Sequence, residues 1–162
     1  MNHPEFKHSL MARLRGRLFH IYFRLTRPMT LGVRALVLDE SGGNVFLIRH
    51  TYVPGWQLPG GGVETGETLR EALDKELMEE GNIRLTASPH LFHIYFNRRT
   101  SRRDHVALFV CKSYAQDGHK LPDHEIAESG FFPLDALPET TTRATRARLA
   151  EVLDRSPVSD DW

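Results

Sequence analysis

Glu76, Glu79 and Glu80 stand i, i+3 and i+4 apart in a stretch with helical periodicity. At about 100° per residue they share one side of a helix. Leu69, Ala72, Leu73 and Leu77 fall in the same arc, whereas Arg70, Glu71, Asp74, Lys75 and Met78 lie outside it. The three acids are therefore expected where the helix meets the rest of the protein. Burying a carboxylate costs several kcal/mol unless it is protonated, paired or bound to a cation, and no Lys or Arg shares the arc. A solvated acidic face fits Glu71 and Asp74 but not the inward trio. A bound divalent cation satisfies all three, and carboxylate oxygens suit Mg²⁺ or Mn²⁺, which keep several waters and take further ligands from phosphates. The spacing points to phosphate chemistry.

The elements that must hold these acids are written on either side. Residues 60–83 read GGGVETGETLREALDKELMEEGNI, a glycine-rich loop running straight into the helix. Thr68 with Glu71 three residues on forms a capping box, so the helix is expected to begin at Leu69. This stretch resembles the signature box of the Nudix hydrolases, G-x5-E-x7-R-E-U-x-E-E-x-G-U with U a bulky aliphatic residue. Gly61, Glu67, Glu76, Leu77, Glu79, Glu80 and Ile83 occupy matching positions. Lys75 stands where the family has Arg, and Asn82 where it has Gly. The resemblance implies that Glu76, Glu79 and Glu80, with the Gly61 carbonyl, hold Mg²⁺ (or Mn²⁺ in its place). The ion would bridge phosphate oxygens and lower the pKa of the attacking water. It also implies that Lys75 braces the site by pairing with Glu67, as a point charge rather than a planar fork. Asn82 is a mild change, since Asn tolerates the left-handed turn that ends a helix.

Ahead of the box, residues 31–38 and 45–48 read as two strands joined by the turn DESGGN, which favours a hairpin. The second strand leads through Arg49 into a loop carrying Trp56 and then the glycines. Arg49 is a candidate phosphate contact or an exposed strand-end arginine, and Trp56 a core residue or a base-stacking platform. Beyond the box, residues 91–96 and 105–110 read as strands joined by NRRTSRRD. Arg98, Arg99, Arg102 and Arg103 in that connection form either a solvated hairpin end or a positive tip steering an anionic substrate. His90, His93 and His105 lack ligand spacing and read as core or surface residues. Residues 121–138 resemble the family's post-box region, from which a loop glutamate often supplies the general base. Glu125 is the first candidate and Glu128 the second. Residues 140–155 read as a closing helix with Leu149, Val152 and Leu153 inward and its arginines in solvent, and the tail from Ser156 as frayed.

A chain of 162 residues with 40% hydrophobic and 26% charged residues is that of one globular domain. A lone cysteine excludes an intramolecular disulfide framework and favours the cytoplasm. Formal charge is zero, but Lys7, Arg13, Arg15, Arg17, Arg24 and Arg27 against Glu5 give residues 1–28 a charge of +5, leaving −5 on the remainder. Met11, Leu14, Leu18, Ile21 and Leu25 recur at steps of three and four, so residues 1–28 read as a basic amphipathic helix ending before Pro28. It is expected to pack on its own domain or across a homodimer. Contact with an anionic membrane surface is the less favoured reading. No DNA-binding module is evident.

The order of elements suggests an α/β fold, an α/β/α sandwich around a small mixed sheet, and the resemblance over residues 29 to about 155 implies the Nudix fold, with residues 29–162 as the domain. The implied function is Mg²⁺-dependent hydrolysis of the diphosphate bond in a nucleoside diphosphate linked to another group X. The rival readings are a non-catalytic nucleotide- or partner-binding module and a membrane-surface protein. The identity of X is not written in the chain.

Overall fold

A computed structural model of the protein describes Phe19, Tyr22, Leu25 and residues 28–162. The expected N-terminal helix lies outside the described residues except for those three, which are helical and exposed. Seven strands and two further helices follow: β1 (Thr30–Val37), β2 (Asn44–His50), α1 (Leu69–Gly81), β3 (Ile83–Leu85), β4 (His90–Phe96), β5 (Asp104–Cys111), β6 (Tyr114–Gln116), β7 (Ile126–Pro133) and α2 (Arg143–Val152).

The central sheet is mixed, in the order β1-β5-β4, with β1 parallel and β4 antiparallel to β5. Strand β2 pairs antiparallel with β7, and β3 with β6. Alternation along the strands divides the interior in two. Val33, Ala35 and Val37 of β1, Phe46 and Ile48 of β2, and Ala107 and Phe109 of β5 pack with Ala72, Leu73 and Leu77 of α1. Leu36, Val45, Leu47 and Leu108 face the other way, with Tyr95, Trp56 and Leu149 of α2. One helix thus covers each face, giving the expected sandwich.

Strands β1 and β2 do not form the expected hairpin. Asp39 builds the turn by accepting bonds from Ser41, Gly43 and Asn44, which draws its pKa down to about 2, but pairing ends after one Leu38–Val45 bridge. Each strand then takes a distant partner, because both are buried on both faces and their backbone groups must be satisfied within sheets.

Helix α1 begins as its capping box dictates, with Thr68 and Glu71 exchanging side-chain-to-backbone bonds. Asn82 closes it in the left-handed conformation at φ 52°. Gly81, one place earlier, lies against Phe46, where a Cβ would come within 2.8 Å of the ring. Exchanging the two residues would therefore collide with the core, and Asn at the turn is tolerated. The glycine loop runs along the free edge of β1. The Val33 amide donates to the Gly61 carbonyl at 2.9 Å, the Ala35 amide to the Pro59 carbonyl at 2.9 Å and the Val63 amide to the Leu31 carbonyl at 2.8 Å. Gly60 adopts φ 137° with the β1 backbone where a Cβ would stand, so only glycine fits.

The C-terminal segment differs from expectation in two respects. Helix α2 is shorter, with Thr142 as N-cap, because Thr140 and Thr142 are held by backbone bonds to Trp56. Its arginines are not all in solvent: Arg148 is 3% exposed, bonded to the equally buried Glu151 at 2.6 Å and set over the Tyr95 ring at 4.1 Å. Nor is the tail frayed. The Phe96 amide donates to Asp160 at 2.8 Å, the Trp162 amide to Phe96 at 3.0 Å and Arg148 Nη1 to the Asp161 carbonyl at 2.8 Å. The tail supplies the backbone groups and the ring that make the buried Arg148–Glu151 pair satisfiable.

Candidate active site

The second half of α1 and the loop entering β7 enclose a cavity of about 330 Å³ lined by Glu76, Glu79, Glu80, Lys120, Asp123, His124, Glu125 and Ile126. The acids differ in burial. Glu80 is 4% exposed, Glu76 is half-buried and Glu79 is exposed, so the inward arc is graded rather than uniform. Glu80 Oε2 accepts the Gly60 amide at 2.6 Å, and Oε1 stands 3.8 Å from His50 Nε2. Burial pushes the Glu80 carboxyl up to about 8, with Arg34 and the Gly60 amide pulling it down and Glu76 and Glu125 adding to the rise. Burial, and then Glu79, raise Glu76 as well.

Arg34 was not expected here. The helix arc holds no cation, but β1 supplies one. Arg34 donates to the Leu58 carbonyl at 3.0 Å, and the fields of Glu80 and Glu76 oppose the lowering of its pKa by burial. The available signal was a lone charge inside the apolar run LGVRALV. His50 and Tyr52 were also missed. His50 is buried with its pKa lowered by desolvation and by Arg34, and Tyr52 donates its hydroxyl to Glu125 Oε1 at 2.9 Å.

Glu125 and Glu128 are separated by the strand alternation. Glu125 lines the acidic cavity, with its amide bonded to Asp123 Oδ1 at 2.9 Å and its carbonyl accepting the Thr51 amide at 2.9 Å. Glu128 pairs across β7 and β2 with Arg49 at 3.0 Å and does not line that cavity. Arg49 is thereby paired in an exposed ion bridge, and it lines a separate cavity with His50, Tyr52 and Trp56 rather than the acidic one. Trp56 is 6% exposed and packs edge-on against Phe132 at 4.5 Å. It packs in the core, while its remaining surface lines that separate cavity with Arg49, whose guanidinium lies 5.8 Å from the ring centroid.

The Lys75–Glu67 brace does not form. Lys75 is exposed, Glu67 Oε2 accepts the Glu64 amide at 2.9 Å, and no ion pair joins the two among the described residues. Glu67 lies on the loop before the cap and bonds locally. Lys75 acts on the site only through its field, which lowers the Glu76 pKa.

The chemistry of the donor set suits a hard cation. Two carboxylates held partly or wholly out of water beside a third and a fourth are costly without one. Gly61 adds a cradle: a Cβ there would come within 2.6 Å of the Glu76 carboxyl carbon. Among the described residues no group of three or more His, Cys, Asp or Glu side chains is arranged to hold a metal ion by itself. Gly61 also lines a second cleft of about 660 Å³, walled by Arg34, Thr30, Val63, Asn97, Thr100 and Asp104.

A family model described as NUDIX domain matches residues 28–153. An RNA pyrophosphohydrolase of Coxiella burnetii is 32% identical over 96 residues, covering 59% of this chain and 39% of that protein. One from Xanthomonas campestris is 31% identical over 103 residues, covering 55% of this chain and 50% of its own. The chain thus spans half or less of the length of these curated relatives. The crystal structure of a MutT NUDIX hydrolase from Burkholderia pseudomallei matches with a TM-score of 0.66 at 25% identity, over 77% of this chain and 98% of that one. An ADP-ribose pyrophosphatase from Streptococcus suis matches at 0.61 and 25%, over 81% and 96%. With the signature acids gathered on α1 and the family model matching residues 28–153, this chain belongs to the Nudix hydrolase family.

Proposed function

We propose that this protein hydrolyses the diphosphate bond of a nucleoside diphosphate linked to another group, with Mg²⁺, or Mn²⁺ in its place. The observation that carries this is the single cavity in which Glu76, Glu79 and Glu80 face Glu125. Glu76, Glu79, Glu80 and the Gly61 carbonyl would hold the ion, which when bound neutralises phosphate charge and favours ionisation of the attacking water. Residues 29–162 form the catalytic domain in this reading.

The chain's own groups do the rest. Glu125 is the general base: it lines the cavity beside the helix acids, and the Tyr52 hydroxyl donates to its Oε1 at 2.9 Å and so orients the carboxylate. Glu128 is spoken for by Arg49. Arg34 offsets the repulsion among the carboxylates and lines the cleft into which the substrate's nucleoside would extend. Lys120, bonded to Asp123 at 2.6 Å, brings a positive charge to the cavity rim. Asp123, held far below the usual carboxylate range by the Ile126 amide, Lys120 and the Glu125 amide, stays ionised and fixes the turn that presents Glu125.

The relatives named above are an RNA pyrophosphohydrolase and an ADP-ribose pyrophosphatase, and both names describe the breaking of a phosphoanhydride. A panel of ADP-ribose, dinucleoside polyphosphates, dNTPs and 5′-triphosphorylated RNA, assayed with Mg²⁺ and with EDTA, tests the reading. At least one should be cleaved with Mg²⁺ and none with EDTA, and Glu79→Gln should lose most of that turnover. Cleavage of nothing in the panel, or wild-type rates for Glu79→Gln in saturating Mg²⁺, would overturn it. Cys111 is a buried free thiol pushed up to about 12 by burial, and among the described residues no helix is long and apolar enough to cross a membrane.

A further inference from the structure

The segment that joins β2 to the glycine loop is fixed at both ends and carries apolar side chains into solvent between them. At its start the Thr51 amide donates to the Glu125 carbonyl at 2.9 Å and the Thr51 hydroxyl to the His124 carbonyl at 2.8 Å. At its end the Trp56 amide donates to the Thr140 carbonyl at 3.2 Å, and the Thr142 amide to the Trp56 carbonyl at 3.0 Å. Tyr52 and Val53 lie between these anchors, 65% and 39% exposed. Water solvates them poorly, and a loop tied at both ends cannot fold them inward. With Arg49, His50, Pro54 and Trp56 they wall a cavity of about 550 Å³. That cavity adjoins the acidic one through two of its residues. His50 Nε2 stands 3.8 Å from Glu80 Oε1, and the Tyr52 hydroxyl donates to Glu125 Oε1 at 2.9 Å.

The backbone around Glu125 is pinned by Thr51 and by Asp123, whose carboxylate accepts the Glu125 and Ile126 amides. Its side chain has one donor among the described residues, Tyr52. Both partners are exposed, so water competes for that bond and it holds the carboxylate weakly. A ligand lying on the Tyr52 ring would exclude that water and strengthen the bond. The ring itself is braced against the buried His50, with centroids 5.1 Å apart. The cavity suits an uncharged ring, because the guanidinium in its wall, Arg49, is already paired with Glu128 at 3.0 Å, and Tyr52, Val53, Pro54 and Trp56 are apolar or aromatic. We infer that a ring of the group X lodges on Tyr52 in this cavity and, by shielding the Tyr52–Glu125 bond from water, aims the base. Tyr52 is then the positioning residue through which the protein favours substrates that carry such a ring. This rests on the hydrolase reading with Glu125 as base, and adds to it a site for X and a route from that site to the base.

The test uses adenosine diphosphate derivatives that differ only in X: ADP-ribose, diadenosine diphosphate and the β-methyl ester of ADP. The first carries a sugar ring, the second a sugar and a base, and the third no ring. With Mg²⁺, kcat and KM are measured for wild type, Tyr52→Phe, Glu125→Gln and the double variant, with folding checked by melting temperature. Wild-type kcat should be at least about tenfold higher on a ring-bearing derivative than on the methyl ester, and Tyr52→Phe, which keeps the platform but not the donor, should lower it about tenfold with KM little changed. The same variant should cost the methyl ester far less. Added to Glu125→Gln it should cost nothing further, because no base is left to aim. Equal losses on all derivatives, or a loss that persists beside Glu125→Gln, would mark a merely structural role and overturn the inference. Turnover of another member of the panel with no cleavage of the ring-bearing derivatives would overturn it too, and leave the hydrolase reading standing. Full activity in Glu125→Gln would remove the base assignment and this inference together, and cleavage of nothing would remove the hydrolase reading as well.

Discussion

Glu80 should make the metal-free protein less stable as pH rises, and Glu80→Gln should remove that dependence. Burial raises the folded-state carboxyl from 4.5 to about 8. Below pH 4.5 both states hold the proton and the site costs nothing. As pH rises further the unfolded chain ionises first, so the native state is progressively penalised until it too ionises near pH 8. At about 1.4 kcal/mol per pH unit the penalty is about 2 kcal/mol at pH 6 and about 4 kcal/mol at pH 8. Gln keeps an oxygen for the Gly60 amide, 2.6 Å from Oε2, but cannot ionise. Urea denaturation in EDTA at pH 5, 6, 7 and 8 should therefore show Glu80→Gln gaining on wild type by about 3 kcal/mol across the series. Adding Mg²⁺ at pH 8 should restore much of the wild-type loss and little in the variant, because a ligand stabilises only the state that binds it. Curves that stay parallel from pH 5 to pH 8 would refute the claim that Glu80 is a strained, desolvated acid awaiting a cation.

Glu125→Gln should lower turnover roughly 10²- to 10⁴-fold, with partial rescue at high pH where hydroxide replaces the base. Glu128→Gln, which breaks only an exposed pair with Arg49, should change it little; pH–rate profiles of both variants on the substrate found in the panel decide. Lys75→Met should leave turnover within about threefold and the melting temperature nearly unchanged, since an exposed charge acting through its field is worth under about 1 kcal/mol. A collapse of activity in that variant would revive the brace to Glu67. Gly61→Ala should displace the Glu76 carboxylate, so Mg²⁺ dependence measured by titration should shift to higher concentration. Arg148→Met should cost about 3–5 kcal/mol by stranding Glu151 in the core, whereas R148M/E151L should recover most of it; equal loss in the double variant would show that packing, not the unpaired charge, dominates.

Local rules made the helix and its acids legible in the sequence. Thr68 and Glu71 fix the start of α1 and Asn82 its end, and a 3.6-residue period needs no tertiary information to place Glu76, Glu79 and Glu80 together. Strand existence was equally local for β1, β2, β4 and β5. Pairing was not. A turn as strong as Asp39 to Asn44 favours a hairpin, and nothing nearby in the chain says that β5 and β7 will claim the two strands instead. The short β3 and β6, of three residues each, carry too little pattern to stand out.

What the sequence withheld were the counter-charges, and for one physical reason: a carboxylate's partner is chosen by space, not by spacing. The helix arc holds no cation, so a metal was the economical inference, yet Arg34 arrives from a strand more than forty residues earlier and takes part of the load. One guanidinium cannot cancel two desolvated acids, and Glu80 remains raised to about 8 with Arg34 in place. The tail followed the same logic in reverse. Polar and short of helix signals, residues 156–162 read as frayed, but Arg148 is buried and a buried guanidinium must be filled with acceptors. Glu151 supplies one, the Asp161 carbonyl another, and Trp162 covers the charge with its ring at 5.4 Å. A charged residue on an apolar helix face is thus evidence that some distant segment must fold onto it. Here that segment continues to Arg98, so the need to satisfy one buried arginine also fixes the hairpin that walls the cleft beside Gly61.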